Sequence, residues 1–192
     1  FAHVRPHRWH FQRMGPADAP TVLLLHGLGG ASHSWRDLAP RLARRWQVIA
    51  PDLPGHGFTR LGALQRSSPD LMAADLETLL AAEDLRPAAI IGHSAGGALA
   101  LRMAQRATTP PAAVVGLNAA LEDFEGQAGW LFPMMARALA MNPFVAPTVS
   151  RLAGSARSVQ GLIDATGSQL DALGLALYRA CLSDARHVDG AL

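Results

Sequence analysis

The stretch Ile90-Ile91-Gly92-His93-Ser94-Ala95-Gly96-Gly97-Ala98-Leu99-Ala100 decides how the rest of the chain is read. A short apolar run meets a five-residue turn of the form G-x-S-x-G and continues into an alanine-rich segment. A chain that reverses from strand to helix in so few residues crowds its own backbone, and the small residues Gly92 and Gly96 relieve that crowding. Such a turn lifts Ser94 clear of the sheet. A serine hydroxyl is a weak nucleophile, so it needs a base beside it and donors ready for the charge that develops on an attacked carbonyl. The backbone N–H of Ala95, at the start of the helix, is predicted to be one such donor, and the helix dipole favours negative charge there. The same residues also fit a serine that only caps a helix. Context favours the nucleophile elbow, because residues 87–91 read as a buried strand and residues 95–106 as a helix.

Upstream, Thr21-Val22-Leu23-Leu24-Leu25 is apolar almost throughout and ends in His26-Gly27-Leu28-Gly29-Gly30. This predicts a central parallel strand, buried on both faces, that runs into a glycine loop. The loop has neither the lysine of a phosphate-binding loop nor the spacing of a dinucleotide fingerprint. Its better use is a second oxyanion donor, since folds with this elbow take one N–H from the loop after that strand, here the N–H of Leu28. Residues 33–44, with Trp35, Leu38 and Leu42, predict a helix capped by Ser32 or Ser34. Residues 46–50 predict the next strand, which enters Pro51-Asp52-Leu53-Pro54-Gly55-His56-Gly57. Asp52 and His56 are catalytic residue types, yet both precede Ser94, whereas the elbow order is serine, acid, histidine. Structural turn-locking roles are therefore expected for both.

Ser68-Pro69-Asp70 opens a further helix with a capping serine, a proline in the first turn and an acid at the positive end. Its buried stripe is Met72, Leu76, Leu79 and Leu80. Residues 112–117 predict another strand, and residues 9–12 alternate weakly enough to suggest an early one. Strand and helix in this rhythm give an α/β fold, a mostly parallel sheet with helices on both faces. Past Leu121 the rhythm stops. The expected division is a core over residues 1–121 and a helical cap segment over residues 122–192. The cap carries the apolar Trp130-Leu131-Phe132-Pro133-Met134-Met135 and residues 141–149, broken by Pro133, Pro143 and Pro147. Short helices over a pocket for a large hydrophobic ligand fit this composition, and so does plain core packing. Residues 171–181 predict one more helix.

With 192 residues, 49% hydrophobic and 17% charged, the chain has the make-up of an ordinary globular domain. The net charge is +2, and all 17 basic residues are arginine, scattered with only Arg44-Arg45 adjacent. No basic stripe results, so nucleic acid is not an expected partner. The single Cys181 forms no internal disulfide and no thiolate metal site, and neither a metal nor a cofactor is expected. No apolar run has the length of a transmembrane segment, and the N-terminus lacks the apolar core of a signal peptide. The first residue is Phe1, which suggests an excerpt or a processed form.

Leu23-Leu24-Leu25-His26-Gly27, Pro51-Asp52-Leu53-Pro54-Gly55-His56-Gly57 and Gly92-His93-Ser94-Ala95-Gly96, in this order and spacing, resemble the alpha/beta-hydrolase fold family. A narrower likeness, nearly end to end, is to the magnesium-chelatase accessory family of bacteriochlorophyll synthesis. It is carried by Ala31-Ser32-His33-Ser34-Trp35-Arg36-Asp37, Gly57-Phe58-Thr59, Leu117-Asn118-Ala119-Ala120-Leu121, Thr166-Gly167-Ser168 and His187-Val188-Asp189-Gly190-Ala191-Leu192. The resemblance implies a phototrophic bacterium and a role linked to magnesium insertion into protoporphyrin. It also implies a cytoplasmic location, with the surface of the photosynthetic membrane as the alternative.

Two functions are compatible with it. One is a serine hydrolase acting on an ester or similar carbonyl group, with Ser94 as nucleophile and the N–H groups of Leu28 and Ala95 as oxyanion hole. The other is a non-catalytic module that binds a porphyrin or docks on magnesium-chelatase subunits. The family places its acid and general base on loops after further strands. The C-terminal part of the fold, with both of those residues, is therefore expected beyond Leu192, and this chain alone is expected to be inactive. His187 is the one histidine after Ser94, and a surface or cap role is expected for it.

Overall fold

The computed structural model describes residues 1–62, 68–121, 142, 144–153, 155–165 and 167–191. These fall into two compact units, Phe1–Leu121 and Glu122–Leu192. The first is built on a five-stranded sheet of β3 (Phe11–Met14), β4 (Thr21–Leu25), β5 (Gln47–Pro51), β6 (Pro87–His93) and β7 (Ala113–Leu117). Their order across the sheet is β3-β5-β4-β6-β7, with β3 antiparallel to β5 and the remaining neighbours parallel. A separate hairpin pairs β1 (Ala2–Val4) with β2 (His7–Trp9).

The five residues of β4 are all buried, because the strand is covered on both faces and its side chains alternate between two cores. Leu23 and Leu25 join Ile49, Ile90 and the inner faces of α2 (Pro69–Ala82) and α3 (Ala95–Arg106). Val22 and Leu24 join Val48, Ala50, Trp35 and Ala39 on the other side. Each fully buried leucine contributes about 1.5–3 kcal/mol, which keeps β4 at the centre of the sheet. In α2 the expected stripe is buried at Leu76, Leu79 and Leu80, with Met72 packed against it. Ser68 caps α2 by accepting the Leu71 N–H at 3.4 Å. At the opposite edge β7 is exposed along its length, including Val114, Val115 and Leu117.

Two local expectations are corrected. The helix expected over residues 33–44 is a 3-10 turn, Ser32–Trp35, followed by a short helix α1, Ala39–Leu42. Pro40 is the physical reason: it has no N–H to continue a helix from the preceding turn, and it sits in the first turn of the new one. The weak strand at residues 9–12 is two strands of different sheets, β2 and β3, which part at His10.

Among its described residues the second unit is helical, with Val145–Ala153, Ala156–Ala165, Ala172–Leu182 and Ala185–Ala191. Asp171 caps the third of these by accepting the Gly174 N–H at 2.7 Å. The apolar residues 130–135 and Met141, read as part of a cap, lie outside the described residues, as does Thr166. His187 is not a surface residue: it is buried in the last helix.

Candidate active site

Ser94 joins the end of β6 to the first residue of α3 in a backbone conformation that side-chain-bearing residues seldom adopt, φ 52° and ψ −120°. It is held there from both sides. Its N–H donates to Leu117 O at 3.0 Å, and its carbonyl accepts from Gly97 N at 2.9 Å and Ala120 N at 3.0 Å. The segment after β7 therefore clamps the turn, and Asn118 within it also has a positive φ, 44°. Strain of this kind costs about 1–3 kcal/mol and persists only where the surroundings over-determine it.

The elbow glycines answer to close approach. A Cβ on Gly92 would strike the carbonyl of Gly96, and one on Gly96 would strike the carbonyls of Leu25 and His26. A Cβ on Gly97 would fall 2.5 Å from that of Ala119, a restriction the motif does not announce. These contacts let α3 start directly against the ends of β4 and β6. The alternative of a capping serine does not hold, since the Ser94 side chain makes no cap hydrogen bond and none with any described residue. The Ala95 N–H is the first of the helix and has no acceptor one turn back.

The loop after β4 lies against this turn: a Cβ on Gly27 would fall 3.1 Å from the Cβ of Ser94. Leu28 follows in a turn closed by Gly30 N–H to Gly27 O, 3.0 Å, and its own N–H donates to no described residue. The structure thus brings Ser94, Gly92, Gly96, Ala95 and the Gly27-Leu28 segment to one end of the sheet. Among the described residues no histidine or carboxylate is hydrogen-bonded to Ser94, and no cluster of three or more His, Cys, Asp or Glu side chains could hold a metal.

The other catalytic residue types hold backbone. Asp52 is buried, and its two oxygens accept from Ser32 N at 2.6 Å, Phe58 N at 2.9 Å and His10 Nδ1 at 2.7 Å. Burial works to raise its pKa, but the hydrogen bonds from His10, Phe58 and Ser32 outweigh it and hold the carboxyl down at about 2. Asp52 so ties the loops after β4 and β5 to His10. His56 donates from Nδ1 to Pro54 O at 3.1 Å and is equally buried.

A second buried pair was not foreseen: His7 Nε2 donates to Asp75 at 3.0 Å while its Nδ1 accepts from Gly62 N at 3.2 Å. Residues 68 apart in sequence meet here, and no local pattern announces it. A cavity of about 740 Å³ in this unit lies elsewhere, at the other end of β6, over Leu80, Leu85, Ile90 and Met103.

Comparison with known proteins follows the same lines. The family model described as the alpha/beta hydrolase fold matches residues 20–169. The magnesium-chelatase 30 kDa subunit of Rhodobacter capsulatus is 51% identical over 98% of this chain, and the match takes in 66% of that relative. The pimeloyl-[acyl-carrier protein] methyl ester esterase of Neisseria meningitidis is 39% identical over 47% of this chain and 33% of its own length. The chain therefore spans less than two thirds of each. Among solved structures, the epoxide hydrolase CorEH superposes with a TM-score of 0.77 at 22% identity, over 99% of this chain and 70% of that one, a likeness of fold. The strand order, the elbow and a family match over most of its length make this chain a member of the alpha/beta hydrolase fold family.

Proposed function

We propose that this chain carries the nucleophile and the oxyanion hole of a serine hydrolase that acts on an ester, thioester or similar carbonyl group in support of magnesium chelation. Ser94 is the nucleophile, and the N–H groups of Leu28 and Ala95 receive the oxyanion. One observation carries the reading: Ser94 is held at a positive φ by backbone hydrogen bonds to Leu117, Gly97, Ala98 and Ala120, with its hydroxyl bonded to no described residue. Strain kept at a polar side chain with unspent hydrogen-bonding capacity marks a site arranged for chemistry. The ester esterase among the relatives supports the substrate class, and the chelatase subunit at 51% identity supports the setting.

This reading assigns the acid and the general base to residues beyond Leu192, and residues 122–192 to a cap that favours a large hydrophobic substrate. The test is labelling with a fluorophosphonate probe, applied to the protein expressed from its complete reading frame. Ser94 is expected to be the labelled serine, and Ser94→Ala to abolish the signal. Labelling of Ser32 or Ser168, or persistence in the variant, overturns the assignment. The 192-residue chain alone is expected to turn over an activated aryl ester far more slowly than the complete protein.

The relative matched almost end to end is named for a chelatase and not for a hydrolytic reaction. That favours a second reading, a module that binds porphyrin or docks on chelatase subunits. Porphyrin fluorescence quenching by a protein that takes no phosphonate label would establish it.

A further inference from the structure

We propose that His26 is a positioning residue for the oxyanion hole: locked in one tautomer by the Leu53 N–H, it holds the Gly27 carbonyl and thereby aims the Leu28 N–H. This rests on the serine hydrolase reading above. The argument begins with which atom can donate. A carbonyl oxygen only accepts, so the Nδ1 that stands 2.8 Å from Gly27 O carries the proton. A backbone N–H only donates, so the Nε2 that stands 2.9 Å from Leu53 N is bare. Together the two bonds admit one neutral tautomer. The ring is fully buried and packs 5.2 Å from the ring of His56, which leaves it no other orientation to adopt at low cost.

Gly27 O accepts a second hydrogen bond, from Gly30 N at 3.0 Å. Two donors on one carbonyl set its direction. The Gly27-Leu28 peptide is trans, and a planar trans peptide points its C=O and its N–H to opposite sides. Fixing the Gly27 carbonyl therefore fixes the line of the Leu28 N–H, on a loop so close to the elbow that a Cβ added at Gly27 would fall 3.1 Å from the Ser94 Cβ. The loop after β5 thus sets the tautomer through Leu53, the tautomer sets the carbonyl, and the carbonyl sets the donor.

Two substitutions separate these bonds. His26→Asn keeps a side-chain donor at the depth of Nδ1 and within reach of Gly27 O, whereas His26→Gln places its amide at the depth of Nε2, where it meets Leu53 and leaves Gly27 O with one donor. In the protein expressed from its complete reading frame, His26→Gln is expected to slow fluorophosphonate labelling of Ser94 about 10²-fold at saturating probe, the scale of losing one oxyanion donor. The half-saturating probe concentration should be unchanged, and His26→Asn should restore most of the rate. A wild-type protein that takes no label overturns the hydrolase reading and this one with it. Wild-type labelling with His26→Gln equally fast overturns this proposal alone. So does a loss in His26→Gln that raises the half-saturating concentration and is not restored by Asn, which would mark a merely structural residue. Should the variants fail to fold, nitrogen-15 NMR of the wild-type ring decides: protonated Nδ1 with bare Nε2 is expected, and a bare Nδ1 overturns the proposal.

Discussion

At the end of β6 the Ser94 hydroxyl is bonded to no described residue, while at the end of β5, on the other side of β4, both oxygens of Asp52 are taken by two backbone N–H groups and a histidine. The two sites sit at the same end of one sheet, where β5 and β6 finish, and carry catalytic residue types alike. They differ in where the strain and the spare bonding capacity lie. At Ser94 the backbone is forced into an uncommon conformation and the side chain is left over. At Asp52 the side chain is used up in fixing backbone. A residue type alone therefore does not make a site; a carboxylate saturated by buried donors is a brace, because displacing its partners would leave them unpaired.

The sharpest way to break this contrast is to delete each side chain. Ser94→Ala is expected to remove all phosphonate labelling yet move unfolding free energy by less than ~0.5 kcal/mol, since it removes no hydrogen bond the structure uses. Asp52→Ala is expected to do the reverse in kind, destabilising by about 3 kcal/mol, because the Ser32 and Phe58 N–H groups lose their acceptor. Urea unfolding of both variants, beside labelling, checks the pair.

A smaller effect follows from the sign of the Asp52 shift. Its folded pKa, about 2, lies below the ordinary 3.8, so its charge stabilises the fold fully above about pH 4 and the contribution fades as pH falls towards 2. About 2 kcal/mol should be lost across that window. Urea midpoints at descending pH measure it, and Asp52→Asn should flatten that part of the curve. The smallest effect concerns Leu28, whose side chain is 63% exposed and whose proposed role belongs to its backbone. Leu28→Ala should leave the labelling rate unchanged and stability within ~0.5 kcal/mol; a large loss of rate would move the role from the N–H to the side chain.

Much of this molecule was legible in the chain because the signals are local. The apolar run of β4, the cap and stripe of α2, and the helix from Ala95 to Arg106 follow from an unbroken apolar run or from capping and spacing signals that a single stretch displays. The elbow was legible for the same reason, since its glycines and Ser94 lie within five residues. Pro40 is a local signal too, and it divides the helix expected over residues 33–44 into a 3-10 turn and a short helix.

By itself, then, the sequence determined the α/β alternation, the elbow and the position of the candidate nucleophile. Only the tertiary structure decided that β3 runs antiparallel to β5, that His7 meets Asp75, that Asp52 braces His10 and Ser32, and that His26 is held in one tautomer by Leu53. These partners lie 20 to 68 residues apart in the chain. No period in the sequence encodes such pairings, because which side chain meets which depends on how the sheet orders its strands and how closely its loops pack.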